Sequence, residues 1–182
     1  PAWRILDEVR QQFQLEALEP TADFITDDIA VLWLIHPQGV SEAALLAIDQ
    51  FVLRGGKVLA FIEPDTDSGV SQLLEAWGVE LKTLGSSMLQ LSSGALNRQD
   101  VITAPLNAIA LQSAGRLVAA ENARTHLDPL LKNSPRAFAV APSSIDSLRN
   151  PAQLLPQQHA VETADTLAAR VIGAASTAFP EG

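Results

Sequence analysis

The stretch "IAVLWLIHPQGVSEAALLAIDQFVLRGGKVLAFIEPD", residues 29–65, decides the fold that the sequence predicts. It opens with a continuous apolar run, which is typical of a strand covered on both faces. A helix is predicted from Ser41, a good N-cap, to Arg54, and Gly55 stands where a helix end favours the left-handed conformation. The apolar strand "KVLAFI" follows the glycines directly. Strand, helix and strand in this order predict a right-handed parallel crossover.

The segments on either side continue the alternation of helices and strands. Residues 3–13 predict an amphipathic helix, "QLEAL" at 14–18 a short strand, "SQLLEAWG" at 71–78 a helix and "VELK" at 79–82 a strand. Such alternation predicts an α/β fold: a three-layer α/β/α domain with a doubly wound, mainly parallel, flavodoxin-like sheet. "AVLWLI" and "KVLAFI" are expected to be adjacent central strands of that sheet. The expected core includes Leu32, Leu34, Leu45, Ile48, Val52, Leu59 and Phe61.

The periodicity weakens beyond residue 83. "RLVAA" at 116–120 and "RAFAVA" at 136–141 predict short strands, and "THLDPLLKNSP" at 125–135 predicts a loop or a single helical turn. "NPAQLLPQQ" at 150–158 predicts a surface loop. The closing "TLAARVIGAASTAF" at 166–179 predicts a strand that returns to the sheet.

Composition narrows the classes of function. With 182 residues and 47% hydrophobic content, the sequence predicts one globular domain spanning 1–182. A formal charge of −9 disfavours nucleic acid and anionic membranes as partners, because both attract clustered cations. The lack of cysteine excludes thiol nucleophiles, disulfides and metal–thiolate sites.

The chain has no sequence pattern for a membrane anchor. Its longest uninterrupted apolar run, "IAVLWLI", is far shorter than the ~20 residues that span a bilayer. The chain begins at Pro1 without an initiator methionine or a leader. We therefore expect a soluble fragment of a longer protein whose membrane anchor lies outside this segment.

Enzyme motifs with strict spacing are absent from the sequence. It contains no G-x-S-x-G, G-x-G-x-x-G, H-E-x-x-H or G-x-x-x-x-G-K-[ST] pattern. "RGGKV" at 54–58 has neither the upstream glycine nor the following hydroxyl of a phosphate-binding loop. Its two glycines are interpreted as a helix stop and a tight turn.

Three acids follow the second strand: Glu63, Asp65 and Asp67. Carboxylates beyond the end of a strand can bind Mg²⁺ or act as a general base, and D-x-D also opens a Ca²⁺ loop. The remaining ligands of such a loop are missing, and acidic surface turns are expected in a chain of this charge. We favour a solvated loop and predict neither a stoichiometric metal site nor a cofactor.

The three histidines lie far apart in the sequence. His36 ends the strand before the crossover, at the sheet edge also assigned to Glu63, so the two side chains could lie within reach of each other. A satisfied or exposed histidine is nevertheless favoured over a functional one. His126 and His159 have no such neighbour that the sequence can identify. Ser134 precedes a proline, a position more typical of a turn than of a nucleophile.

A binding surface is expected beyond the carboxyl ends of the parallel strands, where helices diverge and leave a crevice. The residues there are His36, Pro37, Glu63, Asp65 and Asp67.

The segment "VLWLIHPQGVSEAALLAIDQFVLRGGKVLAFIEP" also carries a family resemblance. It resembles the auxiliary component of an uncharacterised ABC-type transport system, the family that includes the gliding-motility protein GldG. The matching features are Pro37 after the strand, an Ile-Asp-Gln-aromatic segment at 48–51 and an Arg-Gly-Gly-Lys turn at 54–57. Weaker matches are "LDPLLKNSPRAF" at 127–138 and "TLAARVIGAASTAFPEG" at 166–182.

The resemblance implies a non-catalytic domain on the periplasmic, extracytoplasmic side of the bacterial inner membrane. It would work beside an ABC permease and an ATPase, and touch the membrane only through segments outside this chain. The implied fold is similar to the glutamine-amidotransferase-like variant of a doubly wound sheet. The amidotransferase nucleophile is a cysteine, and this chain has none. The resemblance therefore implies no catalytic residues.

Two hypotheses follow. One is a binding or assembly module of a transport system. The alternative is a metal-dependent hydrolase or phosphotransfer enzyme that uses the carboxylates of Glu63, Asp65 and Asp67.

Overall fold

The computed structural model of the protein describes residues 4–64, 68–84, 88–112, 114–133, 138–139, 159–160 and 164–180. The helices in these ranges are α1 (Arg4–Arg10), α2 (Glu42–Leu53) and α3 (Ser68–Ala76). The strands are β1 (Val31–Ile35), β2 (Lys57–Phe61), β3 (Val79–Thr83), β4 (Met88–Ser92), β5 (Ala108–Gln112), β6 (Gly115–Ala119), β7 (Thr125–Lys132), β8 (Phe138–Ala139), β9 (His159–Ala160) and β10 (Thr166–Gly173). The predicted loop at 150–158 lies outside the described residues.

Helix α2 begins and ends where the sequence predicts. The Ser41 side chain accepts a hydrogen bond from the backbone N–H of Ala44 at 3.2 Å, as an N-cap does. At the other end Gly55 has a φ of 90°, and the N–H of Gly56 donates to the carbonyl of Phe51 at 2.9 Å. This is a Schellman ending. A Cβ at Gly56 would lie 2.5 Å from the Phe51 carbonyl oxygen, so the second glycine is required by space.

Strands β1 and β2 are adjacent and parallel, in the register Trp33↔Leu59, which confirms the predicted crossover. Their inner face packs against α2 and α3. Leu32 and Leu34 are buried there, with Leu45 and Ile48 of α2, as the sequence predicts. Val52 is only half-buried but packs against the same cluster.

The opposite, outer face of this strand pair is open, which corrects part of the predicted core. Leu59 is 37% and Phe61 48% exposed, so their assignment to the core is wrong. The apolar run "KVLAF" suggests a strand covered on both sides, but α2 and α3 cover only the side carrying Val58 and Ala60. In the described residues β1 and β2 form a sheet of two strands, so they are not central strands either.

The predicted three-layer α/β/α fold with a doubly wound, mainly parallel sheet is wrong. Most of the described strands pair antiparallel, in a four-stranded sheet of order β3-β6-β10-β7 and in the pairs β4-β5 and β8-β9. Strand β3 does not continue the parallel pair but lies antiparallel to β6, in the register Leu81↔Leu117. The segment "VELKT" alternates apolar and charged residues, which is the pattern of an antiparallel strand with one wet face.

Two local predictions also fail. Residues 125–132, expected to form a loop or a helical turn, are strand β7. Strand β7 contains Pro129, and it lies at the edge of its sheet, where proline is tolerated. Residues 14–18, expected to be a short strand, have irregular backbone. The strand predicted at 116–120 is present as β6, and β8 falls within the one predicted at 136–141. The strand predicted at 166–179 is present as β10 but ends at Gly173.

Candidate functional site

The carboxyl ends of β1 and β2 bring together two of the residues predicted to form a binding surface. His36 follows β1 and Glu63 follows β2, and His36 Nδ1 lies 3.8 Å from Glu63 Oε1. The backbone N–H of His36 donates to the Phe61 carbonyl at 3.0 Å, which extends the parallel pairing by one step. The two side chains are 49% and 36% exposed, so solvent and a partner both reach them.

His36 also has an unusual backbone. Its φ is 43°, in the left-handed region that residues with a side chain rarely adopt. The conformation turns the chain out of the strand into Pro37 and keeps the imidazole at the edge beside Glu63. Strain of this kind often accompanies functional positions, so His36 is the most informative member of the predicted surface.

The other predicted residues contribute less. Asp65 and Asp67 lie outside the described residues, as do Ser134 and the side chain of His159. His126 is on β7, where its Nε2 lies 3.0 Å from Asp128 Oδ1 in an exposed pair remote in sequence from His36. Within the described ranges no three His, Asp or Glu side chains converge on one point. The prediction that the acidic loop binds no metal stays a prediction.

A depression of about 390 Å³ lies at the opposite end of the parallel pair, and the sequence did not single it out. It is lined by Asp27, Ile29, Ala30, Phe51, Arg54, Gly55, Gly56 and Lys57. Arg54 is held in place by its own chain: it donates to the Ile25 carbonyl at 2.8 Å, pairs with Asp27 at 3.3 Å and lies over the Phe24 ring. The sequence feature that could have indicated this depression is the pair Arg54 and Lys57, two cations within four residues in a chain that is acidic overall.

Asp49 is a carboxyl group with no exposed surface. It accepts hydrogen bonds from the Trp77 indole at 2.9 Å, the Thr177 hydroxyl at 2.6 Å and the backbone N–H of Ala178 at 3.4 Å. These contacts join α2 to the end of α3 and to the C-terminal segment. The sequence signal was an acid four residues after Leu45, on the apolar stripe of the helix. All its partners are internal, so the role of Asp49 is structural.

A second acid, the half-buried Asp100, links two segments in the antiparallel half of the molecule. The Arg170 guanidinium of β10 donates to both carboxylate oxygens of Asp100, at 3.1 and 2.9 Å. The backbone N–H of Ile102 donates to the same carboxylate at 2.9 Å. The hydrogen bond from the Ile102 N–H is the largest cause that holds the pKa of Asp100 below its usual range, and the hydrogen bonds from Arg170 are the second. The turn after Asp100 is thereby attached to the sheet.

Comparison with known families decides the relationship of the chain. A family model described as an ABC-type uncharacterised transport system matches residues 1–84 and 86–182. The chain belongs to this family. Membership covers both the parallel strand pair and the antiparallel half, although the resemblance was clearest at residues 31–64. No curated protein and no solved structure matches the chain.

The family assignment makes the chain an auxiliary component of an ABC-type transport system. The description of the family refers to transport and names no reaction. In the part of the chain that the structure describes, no helix has the length and apolar character needed to cross a membrane.

Proposed function

We propose that this protein is a binding or assembly domain of an ABC-type transport system and acts without catalysis. The observation that carries the proposal is the family match over both halves of the chain. The lack of cysteine and of any catalytic motif with strict spacing agrees with it. The domain would lie on the periplasmic, extracytoplasmic side of the bacterial inner membrane and contact the permease and ATPase subunits through the full-length protein.

The proposed contact surface is the edge formed by His36, Pro37 and Glu63, together with Asp65 and Asp67. The pairing of His36 with Glu63 supports it, because an exposed pair held by a strained backbone is already arranged for a partner. The carboxylate of Glu63 at this edge suits a basic partner surface. The closer relationship to the gliding-motility protein GldG rests on residues 31–64 and remains part of this proposal.

Affinity capture from solubilised membranes tests the function. The full-length protein is expected to recover an ABC permease and an ATPase, and a Glu63→Lys, Asp65→Lys, Asp67→Lys variant is expected to recover less of both. A matched control reverses three exposed acids elsewhere on the chain, Asp28→Lys, Glu75→Lys and Glu121→Lys, with the same tags and detergent. Equal recovery by the two variants would remove the proposed surface, and recovery of neither subunit by the native protein would remove the proposed function.

Among the described residues, the His36–Glu63 pair is the observation that favours the enzyme hypothesis, because an imidazole beside a carboxylate can act in general acid–base catalysis. We expect calorimetric titration with Mg²⁺, Mn²⁺ or Ca²⁺ to show no stoichiometric binding. Binding tighter than about 10 μM that is abolished in Asp65→Asn, together with turnover of a phosphate ester, would favour the hydrolase or phosphotransfer enzyme instead.

A further inference from the structure

Two apolar surfaces formed by residues in the N-terminal third of the chain are both exposed to solvent. The first is the arm, residues 4–24, which precedes Ile25, the first buried side chain among the described residues. No residue of α1 is buried, and residues 14–18 make no backbone hydrogen bond to another described residue. The exposed large apolar side chains of the arm are Ile5, Phe13, Leu15, Leu18 and Phe24.

The second surface is the outer face of the parallel strand pair. The register places Trp33 beside Leu59 and Ile35 beside Phe61, so their side chains share one face with Val31. Val31 is 45% and Phe61 48% exposed, and Trp33 and Ile35 are half-buried. Parallel strands are normally covered on both faces, and the described residues leave this one open.

These two surfaces account for most of the exposed large apolar side chains in the described part of the molecule. Thirteen such side chains are exposed, and eight of them belong to the arm or to the outer face. A soluble chain rarely exposes contiguous apolar area of this size unless a partner covers it.

We propose that the arm of one copy covers the outer face of a second copy, in a two-fold symmetric exchange. A two-fold contact must be self-complementary, and this chain carries both halves of it. The arm and the outer face are both exposed within one chain while Pro20 and Ile25 anchor the arm at its base, so the contact is made between chains.

Charge and area agree with this partner. The arm holds two arginines against five acids, and Lys57, at the edge of the outer face in register with Val31, has no ion-pair partner among the described residues. An exchanged arm therefore brings acids towards this cation. Eight side chains that each lose on the order of 50–130 Å², counted in both copies, bury roughly 1,500 Å², the size of a stable protein interface.

The first test is the oligomeric state of the 182-residue chain, measured by sedimentation and light scattering. A concentration-dependent dimer is expected. Phe13→Glu and Phe61→Glu should each weaken it by about tenfold or more, since a dimer contains each substitution twice. Val101→Glu, at a side chain that is 83% exposed on the turn after Asp100, is the matched control and should leave the dimer unchanged.

Circular dichroism melting separates lost association from lost folding. Phe13 lies on the arm, outside the buried core, so Phe13→Glu should keep the thermal transition of the monomer even if Phe61→Glu does not. A native chain that stays monomeric at about 100 μM overturns the proposal. The proposal is also overturned if Phe13→Glu and Phe61→Glu dimerise with the same affinity as the control Val101→Glu.

The second test identifies which surfaces meet. Because the chain lacks cysteine, Leu15→Cys and Leu59→Cys each introduce a single thiol. A short bismaleimide should crosslink a mixture of the two variants into a dimer more efficiently than either variant alone. If the double variant instead crosslinks only within one chain, the arm closes on its own outer face and the exchange is refuted.

Discussion

The buried carboxyl of Asp49 allows the strongest prediction about stability. In Asp49→Ala the Trp77 indole N–H and the Thr177 hydroxyl lose their acceptor in the interior. A buried polar group left without a partner costs about 1–3 kcal/mol, and the backbone N–H of Ala178 also loses a long hydrogen bond. We expect a total loss of about 3–4 kcal/mol in the free energy of unfolding.

The control substitution is Asp49→Asn, which keeps the shape of the side chain. Its amide oxygen can accept from Trp77, and its amide nitrogen can donate to the Thr177 hydroxyl oxygen, which already accepts from the N–H of Phe179 at 3.0 Å. We expect this variant to lose only about 1 kcal/mol.

Urea unfolding followed by tryptophan fluorescence and circular dichroism provides the measurement. For a chain of this size, the alanine variant should also melt about 6–16 °C lower than the native protein. A double-mutant cycle of Asp49→Ala with Trp77→Phe should be non-additive by about 1–2 kcal/mol, because the two residues share one hydrogen bond. Additivity, or an alanine variant no less stable than the asparagine variant, would refute the reasoning.

Three further predictions concern other parts of the fold. Gly56→Ala should lower the free energy of unfolding by about 2 kcal/mol in urea titrations, because its Cβ meets the backbone of Phe51 at 2.5 Å; a native-like midpoint would contradict this. The pKa of Asp100 is depressed by folding, so its contribution to stability is present above the unfolded-state pKa and is lost as pH falls through the folded-state pKa. Asp100→Asn should therefore flatten the decline in melting temperature below about pH 4, and an unchanged slope would count against the assignment. Leu34→Ala should cost about 2–5 kcal/mol, whereas Leu59→Ala should cost under about 1 kcal/mol because that side chain is exposed in the single chain; equal losses at low protein concentration would show the outer face to be covered.

The sequence was sufficient where a feature depends on neighbouring residues. The cap at Ser41 and the glycine ending of α2 are local hydrogen-bond and space requirements, and both are legible in the order of residues. The short crossover made β1 and β2 parallel and brought His36 close to Glu63. Family membership also followed from local features, since the segments that carried the resemblance lie within the matched residues.

Tertiary structure alone decided how the strands are paired and which faces are covered. An apolar strand has the same pattern whether helices cover both of its faces or one, so Leu59 and Phe61 looked like core residues. The pairing of β3 with β6 rather than with β2 depends on contacts between residues far apart in the chain. Pro129 is acceptable in β7 only because that strand is at a sheet edge. Whether a side chain is buried depends on which other elements pack against it. The sequence pattern shows only that the side chain is apolar.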